Sequence, residues 1–315
     1  MLRFILRRGG TLVITMLVLS MLIFVLSEVV PIEPALMILG RESTPEARAA
    51  LTEKLGLNRP LPERYVNWIT RFVQGDWGQS YRLGVDILPL VQRRLANSLT
   101  LAAVALVVIV PISLALGILA GLNEGRWLDR LISVGSLVTI SIPDFVIGLL
   151  LIVIFSWWLK WLPGDSSLRG DAVSLAEHGQ KLVLPAITAS VVLIGYIARV
   201  TRISVIDVME SPYVRTAILK GLPYRVVVVR HVLRNALIAP VAVITTQIAW
   251  LVGGLIVIES LFNYPGIGSL FAGSALRNDL PMIQASAMIA ITLIVLSQVF
   301  ADVLYALLNP RIRYG

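Results

Sequence analysis

The sequence contains no cysteine, which excludes disulfide frameworks, thiolate metal sites and cysteine nucleophiles together. Histidine is almost as scarce. His178 and His231 are the only two, too few and too far apart for a histidine metal cluster. Charge is thin as well: 15% of residues are Asp, Glu, Lys or Arg, against about 25% in a typical soluble domain. A chain with so little polar surface does not stay in water, so a cytosolic enzyme is excluded. The formal net charge of +8 could point to nucleic acid. In a membrane chain, however, basic residues record topology, and no nucleic-acid partner is expected.

What fills the space between charges is apolar sequence long enough to cross a bilayer, which takes about 20 helical residues. The first uncharged run separates Arg8 from Glu28, with no small-residue cleavage site after it, and reads as a retained span rather than a removed signal. The second lies between Arg94 and Glu124 with Pro111 near its middle, where a kink is expected. The third runs from Arg130 to Lys160 and is interrupted only by Asp144. The fourth, Lys181 to Arg199, is the shortest and carries Pro185. Arg234 to Glu259 and Asp279 to Asp302 supply the fifth and sixth. Open strands cannot satisfy their backbone in lipid, so the fold class is an all-α integral membrane protein with six transmembrane helices.

Loop charges orient these spans. Arg3, Arg7 and Arg8 precede the first, Arg311 and Arg313 follow the last, and Arg199, Arg202, Arg215, Lys220, Arg225, Arg230 and Arg234 lie between the fourth and fifth. Six spans put all three groups on one side, so both termini are expected in the cytoplasm. The stretch from Glu33 to Arg94, near charge balance, then lies outside. Within it Thr44, Pro45, Glu46 and Gly56 punctuate one helix. Tyr65, Trp68, Ile69, Phe72 and Val73 mark an amphipathic second one. That aromatic stripe is read as packing on the membrane or on neighbouring helices, with docking of a soluble partner as the alternative.

The long segment from Arg199 to Arg234 carries the clearest functional signal. Ser211 can cap a helix, Pro212 fits its first turn, Lys220 suits its C-terminal end and Gly221 can take a left-handed closing conformation. Pro223 forbids continuation. Such a helix is far too short to span. It could lie in the headgroup region or act as a lever moved by a soluble partner.

The residues from Glu210 to Ala239, ESPYVRTAILKGLPYRVVVVRHVLRNALIA, resemble the cytoplasmic signature of permease subunits of binding-protein-dependent ABC importers, closest to the dipeptide/oligopeptide branch. Arg215-Thr216-Ala217 stands where the general signature has Glu-Ala-Ala, Gly221 where it has glycine, and Leu233-Arg234 where it has Leu-Pro. These are departures that belong to the peptide branch. Leu2 to Arg8, Gly75-Asp76-Trp77-Gly78-Gln79-Ser80, Glu259 to Gly268 with Asp279-Leu280-Pro281, and Leu308 to Arg313 resemble further segments of that branch in order.

The resemblance implies a six-span permease with a long helical extracytoplasmic loop after the first span. It would comprise a tip and first span over 1–30, the outer segment over 31–96, and a permease core over 97–315 with a coupling loop at about 199–234. It implies a bacterial or archaeal cytoplasmic (inner) membrane and a lipid bilayer around the chain. The expected partners are a sister permease, two cytoplasmic ATPase subunits that bind ATP and magnesium, and an extracytoplasmic solute-binding protein. It implies a non-catalytic chain with no cofactor of its own. It places ATPase coupling at Glu210, Tyr213, Arg215, Thr216, Ala217, Lys220 and Gly221. Peptides are the implied cargo, with glutathione, nickel complexes or other solutes as alternatives. Independently, no lysine follows a glycine, so no Walker A loop exists in this chain.

An ion-coupled secondary transporter would need acidic residues deep in its spans, and Asp144 alone qualifies clearly. If the third helix is regular, Asp144 lies ~21 Å beyond Arg130, near mid-membrane. Two readings stand: contact with passing cargo, or a protonated or paired carboxyl with a packing role.

Overall fold

A computed structural model describes residues 2–29, 34–40, 42–168 and 175–308. In chain order the helices are α1 (Leu2–Val29), α2 (Pro34–Leu39), α3 (Pro45–Lys54), α4 (Leu61–Val73), α5 (Ile87–Leu122), α6 (Trp127–Ser141) and α7 (Asp144–Leu151). Then come α8 (Leu175–Met209), α9 (Pro212–Leu219), α10 (Tyr224–Val226), α11 (Arg234–Ala236), α12 (Ile238–Leu261), α13 (Ile267–Leu276) and α14 (Leu280–Leu308). Wider π-helical turns continue α7 through Ile152–Trp158 and join α10 to α11 through Val227–Leu233. Among the described residues, extended pairing is limited to one isolated bridge between Gln79 and Asp86. Glu33, Arg311, Arg313 and nearly all of the Leu308-to-Arg313 motif lie outside the described residues.

Among the described residues, four helices are long and apolar enough to cross a membrane: Arg8–Glu28, Ile87–Leu122, His178–Met209 and Leu280–Ala301. The count reaches six if each of two bent pairs is one span. These pairs are Trp127–Ser141 with Asp144–Trp158, bent by 103°, and Tyr224–Ala236 with Ile238–Ile248, bent by 43°. The third span is therefore not the regular helix expected. The residue before a proline is pushed out of the helical region, and Ile142 is extended (φ −98°, ψ 127°) ahead of Pro143. A second departure concerns α8. It runs past Arg199 to Met209, so Arg199 and Arg202 are helical residues rather than loop charges.

The described chain divides into two compact units. The first is built from residues within Met1–Ser98 and Pro265–Val295. Its core gathers Ile87, Val91, Ile267, Met282 and Ala285, with Phe72 and Trp77 packed against them. Thr44 caps α3 by accepting from the Ala47 amide at 3.3 Å, and Gly56 takes φ +68° just beyond that helix. The aromatic stripe of α4 packs inward: Tyr65 and Trp68 lie against Phe24 of α1, and Phe72 stacks on Trp77 with ring centres 4.6 Å apart. Val73, the last of the predicted stripe, stays exposed. An ion pair between Arg64 and Glu28 at 2.6 Å ties α4 to α1. The buried Asp279 carboxylate accepts from the Ser80 hydroxyl and from the Tyr81 amide, fastening the Gly75–Ser80 motif to the start of α14. Burial, and secondarily the Asp279 charge, raise the Tyr81 hydroxyl above the ordinary tyrosine pKa.

The second unit is built from residues within Leu99–Leu168, Val173–Tyr264 and Leu296–Gly315. Helix α8 is its hub, with Leu184, Leu193 and Ile197 buried among residues of α5 and α12. Close approach depends on glycine here. A β-carbon on Gly117 would come within 2.6 Å of the Ala198 carbonyl, and one on Gly121 within 2.7 Å of Val205. Gly195 similarly leaves room for Ser136 and Thr139 of α6. Asp129, at the start of α6, is 3% exposed. Its carboxylate accepts from Arg202 through Nε and Nη2 (2.8 Å), from the Gly125 amide (2.9 Å) and from Ser133 (3.2 Å).

Candidate functional site

Helix α9 has two faces because its sequence has two kinds of residue. Val214 and Ala217 point inward and are buried with Val205 of α8, Val227 and Val232 of the π-helical turn, and Ala236 of α11. Ile118 and Leu122 of α5 pack on the same cluster. The opposite face leaves Tyr213, Arg215, Thr216, Ile218, Leu219 and Lys220 exposed, with Leu219 at 87%. An isolated exposed leucine is unremarkable. A fully exposed leucine beside Ile218, on a helix held rigidly from behind, is a surface suited to a protein partner.

The ends of α9 are fixed in two ways. Ser211 is extended as expected, but its hydroxyl donates back to the Val208 carbonyl at 2.5 Å and makes no cap. Pro212 begins the helix, and the Thr216 hydroxyl donates to the Pro212 carbonyl. Beyond Lys220, Gly221 takes φ +75°, a left-handed conformation that L side chains resist. Its amide donates to Ile218 at 2.9 Å.

Of the candidates singled out in the sequence, Glu210, Tyr213, Arg215, Thr216, Lys220 and Gly221 are all on the exposed side of this turn-helix-turn. Ala217 is not. Its methyl group is 6% exposed and serves the cluster behind the helix, so it offers no surface for close approach. The structure also adds two residues. Asn235 donates to the Tyr213 hydroxyl at 2.9 Å, joining the Leu-Arg-Asn-Ala run to the front of α9. Leu219 supplies its most exposed apolar group; with no inward partner at helical spacing, its surface position could have been read from the pattern.

Asp144 occupies the first turn of α7, immediately after the knee at Ser141-Ile142-Pro143, and is half-buried. It makes no ion pair among the described residues. Its distance from Arg130 along a regular helix therefore has no meaning here, and its place is a helix N-terminus, where a carboxylate is favoured. Among the described residues, no group of three or more His, Asp or Glu side chains converges as a metal site would require.

Comparison with known proteins extends over the whole chain. Residues 113–314 match the family described as "Binding-protein-dependent transport system inner membrane component". Residues 1–102 match "Binding-prot-dependent transport system membrane comp, N-term". The chain is 35% identical over 313 residues to the "Probable peptide ABC transporter permease protein y4tP" of Sinorhizobium fredii, covering 99% of each. It is 36% identical over 314 residues to the "Glutathione transport system permease protein GsiC" of Salmonella typhimurium, covering 100% of each. A solved structure, "Crystal structure of an amino acid ABC transporter with histidines", shares the fold at a TM-score of 0.50 and 14% identity. The match covers 70% of this chain and 98% of that one.

Proposed function

This chain belongs to the binding-protein-dependent transport inner membrane components, as an ABC importer permease of the dipeptide/oligopeptide-type branch, and from that membership we propose that it forms half of a translocation pathway for short peptides. The other half is a sister permease, the solute arrives on a binding protein, and the free energy comes from two ATPase subunits. Both termini and α9 face the cytoplasm, a reading supported by the basic residues flanking them. Glutathione, itself a tripeptide, is the second cargo reading, supported by the Salmonella relative.

The observation that carries the coupling role is the two-faced build of α9. Its inner face is welded to α5, α8 and the π-helical turn, while Tyr213, Arg215, Ile218, Leu219 and Lys220 are exposed on the other. An element pushed from outside must be stiff behind and sticky in front, and α9 is both. A helix that merely rests in the headgroups would carry its apolar groups on a lipid-facing stripe with basic residues at the edges. Here charged and apolar groups are mixed on one surface.

The test is substrate-stimulated ATP hydrolysis by the reconstituted importer with its binding protein, normalised to assembled permease. Leu219→Asp removes the apolar contact without touching the core and is expected to weaken ATPase binding and abolish stimulation. Wild-type stimulation by both Leu219→Asp and Gly221→Val would overturn the coupling role of α9.

A further inference from the structure

The Asp129–Arg202 pair has no part in the surface just described, yet it is one of the most thoroughly satisfied groups in the second unit. Asp129 is buried and the Arg202 side chain is 27% exposed, and an ion pair so largely withdrawn from water is a poor source of stability. Desolvation offsets much of its attraction, and apolar replacements often serve as well. Breaking one by removing a single partner leaves an uncompensated buried charge, which is strongly unfavourable. Such a pair fixes one arrangement and penalises others. The question is which arrangement this one fixes.

Arg202 lies one turn before Val205, the α8 residue that packs behind α9. Asp129 lies on the first turn of α6. Along α8, Gly195 gives α6 a second point of contact at Ser136 and Thr139, so α6 is pinned to α8 at both ends of its length. Gly117 and Gly121 bring α5 hard against the same stretch of α8, where added β-carbons would meet the Ala198 and Arg202 carbonyls as well as the Thr201 and Val205 side chains. The Ser204 hydroxyl ties α8 to the Ala236 carbonyl of α11 at 2.7 Å. Helix α7 also rests on α8 and α12, but more softly: at Gly148 its neighbours are the side chains of Thr188 and Leu261 rather than backbone. Past Ser141 the α6 helix stops, Pro143 has no amide hydrogen to continue it, and the chain turns by 103° into α7.

We infer that Asp129 and Arg202 are positioning residues for transport: the pair locks α6 to the α8–α9 body, so that a displacement of α9 is delivered to the Ser141–Pro143 knee and to Asp144 beyond it. The inference rests on the coupling role proposed for α9. Its mechanical content is specific. Residues of α6 keep their distances to the π-helical turn behind α9 throughout the ATP cycle, and the angle between α6 and α7 changes instead. Without the lock, α9 still moves with the ATPase, but α6 no longer follows.

The absence of cysteine makes the test direct. Spin labels on pairs of introduced cysteines are measured by pulsed electron resonance in the full importer in nanodiscs, nucleotide-free and trapped with ATP and vanadate. Leu131→Cys with Val229→Cys, both exposed, reports α6 against the π-helical turn. Leu131→Cys with Leu149→Cys reports across the knee. The first distance is expected to stay constant on trapping and the second to shift. Asp129→Asn should make the first distance vary and reduce cargo transported per ATP hydrolysed, with glutathione and dialanine as the cargo probes. The reduction expected is about twofold to thirtyfold, the range that coupling residues command. Arg202→Lys keeps the charge with a poorer geometry and should show a smaller effect, which serves if Asp129→Asn fails to assemble. A wild-type Leu131–Val229 distance that changes on trapping overturns the lock, as do both variants behaving like wild type. If the coupling role itself is wrong, the pattern differs: no label pair responds to trapping, and Leu219→Asp hydrolyses ATP normally.

Discussion

Gly221 shows how one dihedral angle can carry an element. At φ +75° it reverses the chain after α9 with nothing within 4 Å of the position a β-carbon would take. Space is therefore no obstacle to substitution; backbone conformation is. A left-handed residue other than glycine costs roughly 1–2 kcal/mol, more for a β-branched side chain and less for asparagine. Gly221→Val should uncouple hydrolysis from substrate while Gly221→Asn retains most of the stimulation, read in the same reconstituted assay. Asp279 is the converse case, a residue whose partners matter more than its angles. Asp279→Asn leaves the Ser80 hydroxyl and Tyr81 amide with a weaker acceptor. At about 1–3 kcal/mol for a disturbed buried hydrogen bond to a charge, the Gly75–Asp86 stretch should loosen. Limited proteolysis of membranes should then cut within that stretch faster than in the wild type; equal rates would show the contact to be dispensable.

Helices α6, α7 and α8 mark where local sequence is informative and where it is not. Uncharged runs mark, among the described residues, four helices able to cross and two bent pairs that bring the number to six if each is one span, because lipid leaves few choices. The punctuation of α3 and α9 was legible because proline and glycine act locally. The length of α8 was hidden. Arg199 and Arg202 read as loop charges, and the carboxylate that lets Arg202 sit beside a span is Asp129, 73 residues earlier in the chain. The knee was half visible, since Ile142-Pro143 breaks a helix, but the size of the turn depends on what packs around it. The burial of Ala217 was hidden too, because a small residue on a helix looks the same in sequence whether it faces a partner or a core. Two outcomes follow for these helices. Gly117→Leu would drive a side chain into the α8 backbone, an overpacking cost of about 1–3 kcal/mol or more, and should lower the thermal unfolding midpoint of purified permease. Asp144→Asn keeps the shape of the knee and removes the charge. If Asp144 meets cationic or zwitterionic cargo, uptake of dialanine should fall with assembly intact, and unchanged uptake would leave it a packing role.

For the chain as a whole, orientation is the claim with the widest reach, because it decides which surface meets ATPase and which meets binding protein. Glu42 and Thr216 are both exposed. A membrane-impermeant thiol reagent applied to intact cells, or to spheroplasts, should label Glu42→Cys and spare Thr216→Cys. The reverse pattern would turn the assignment of faces around. The Ser80–Asp279 contact bears on the chain's history as well as its form. The two residues are 199 positions apart in the chain. At the usual pace of synthesis, about 5–20 residues per second, Ser80 leaves the ribosome some 10–40 seconds before its acceptor exists. For that interval the Gly75–Ser80 motif must wait without its anchor, so the first region to be made is among the last to be finished.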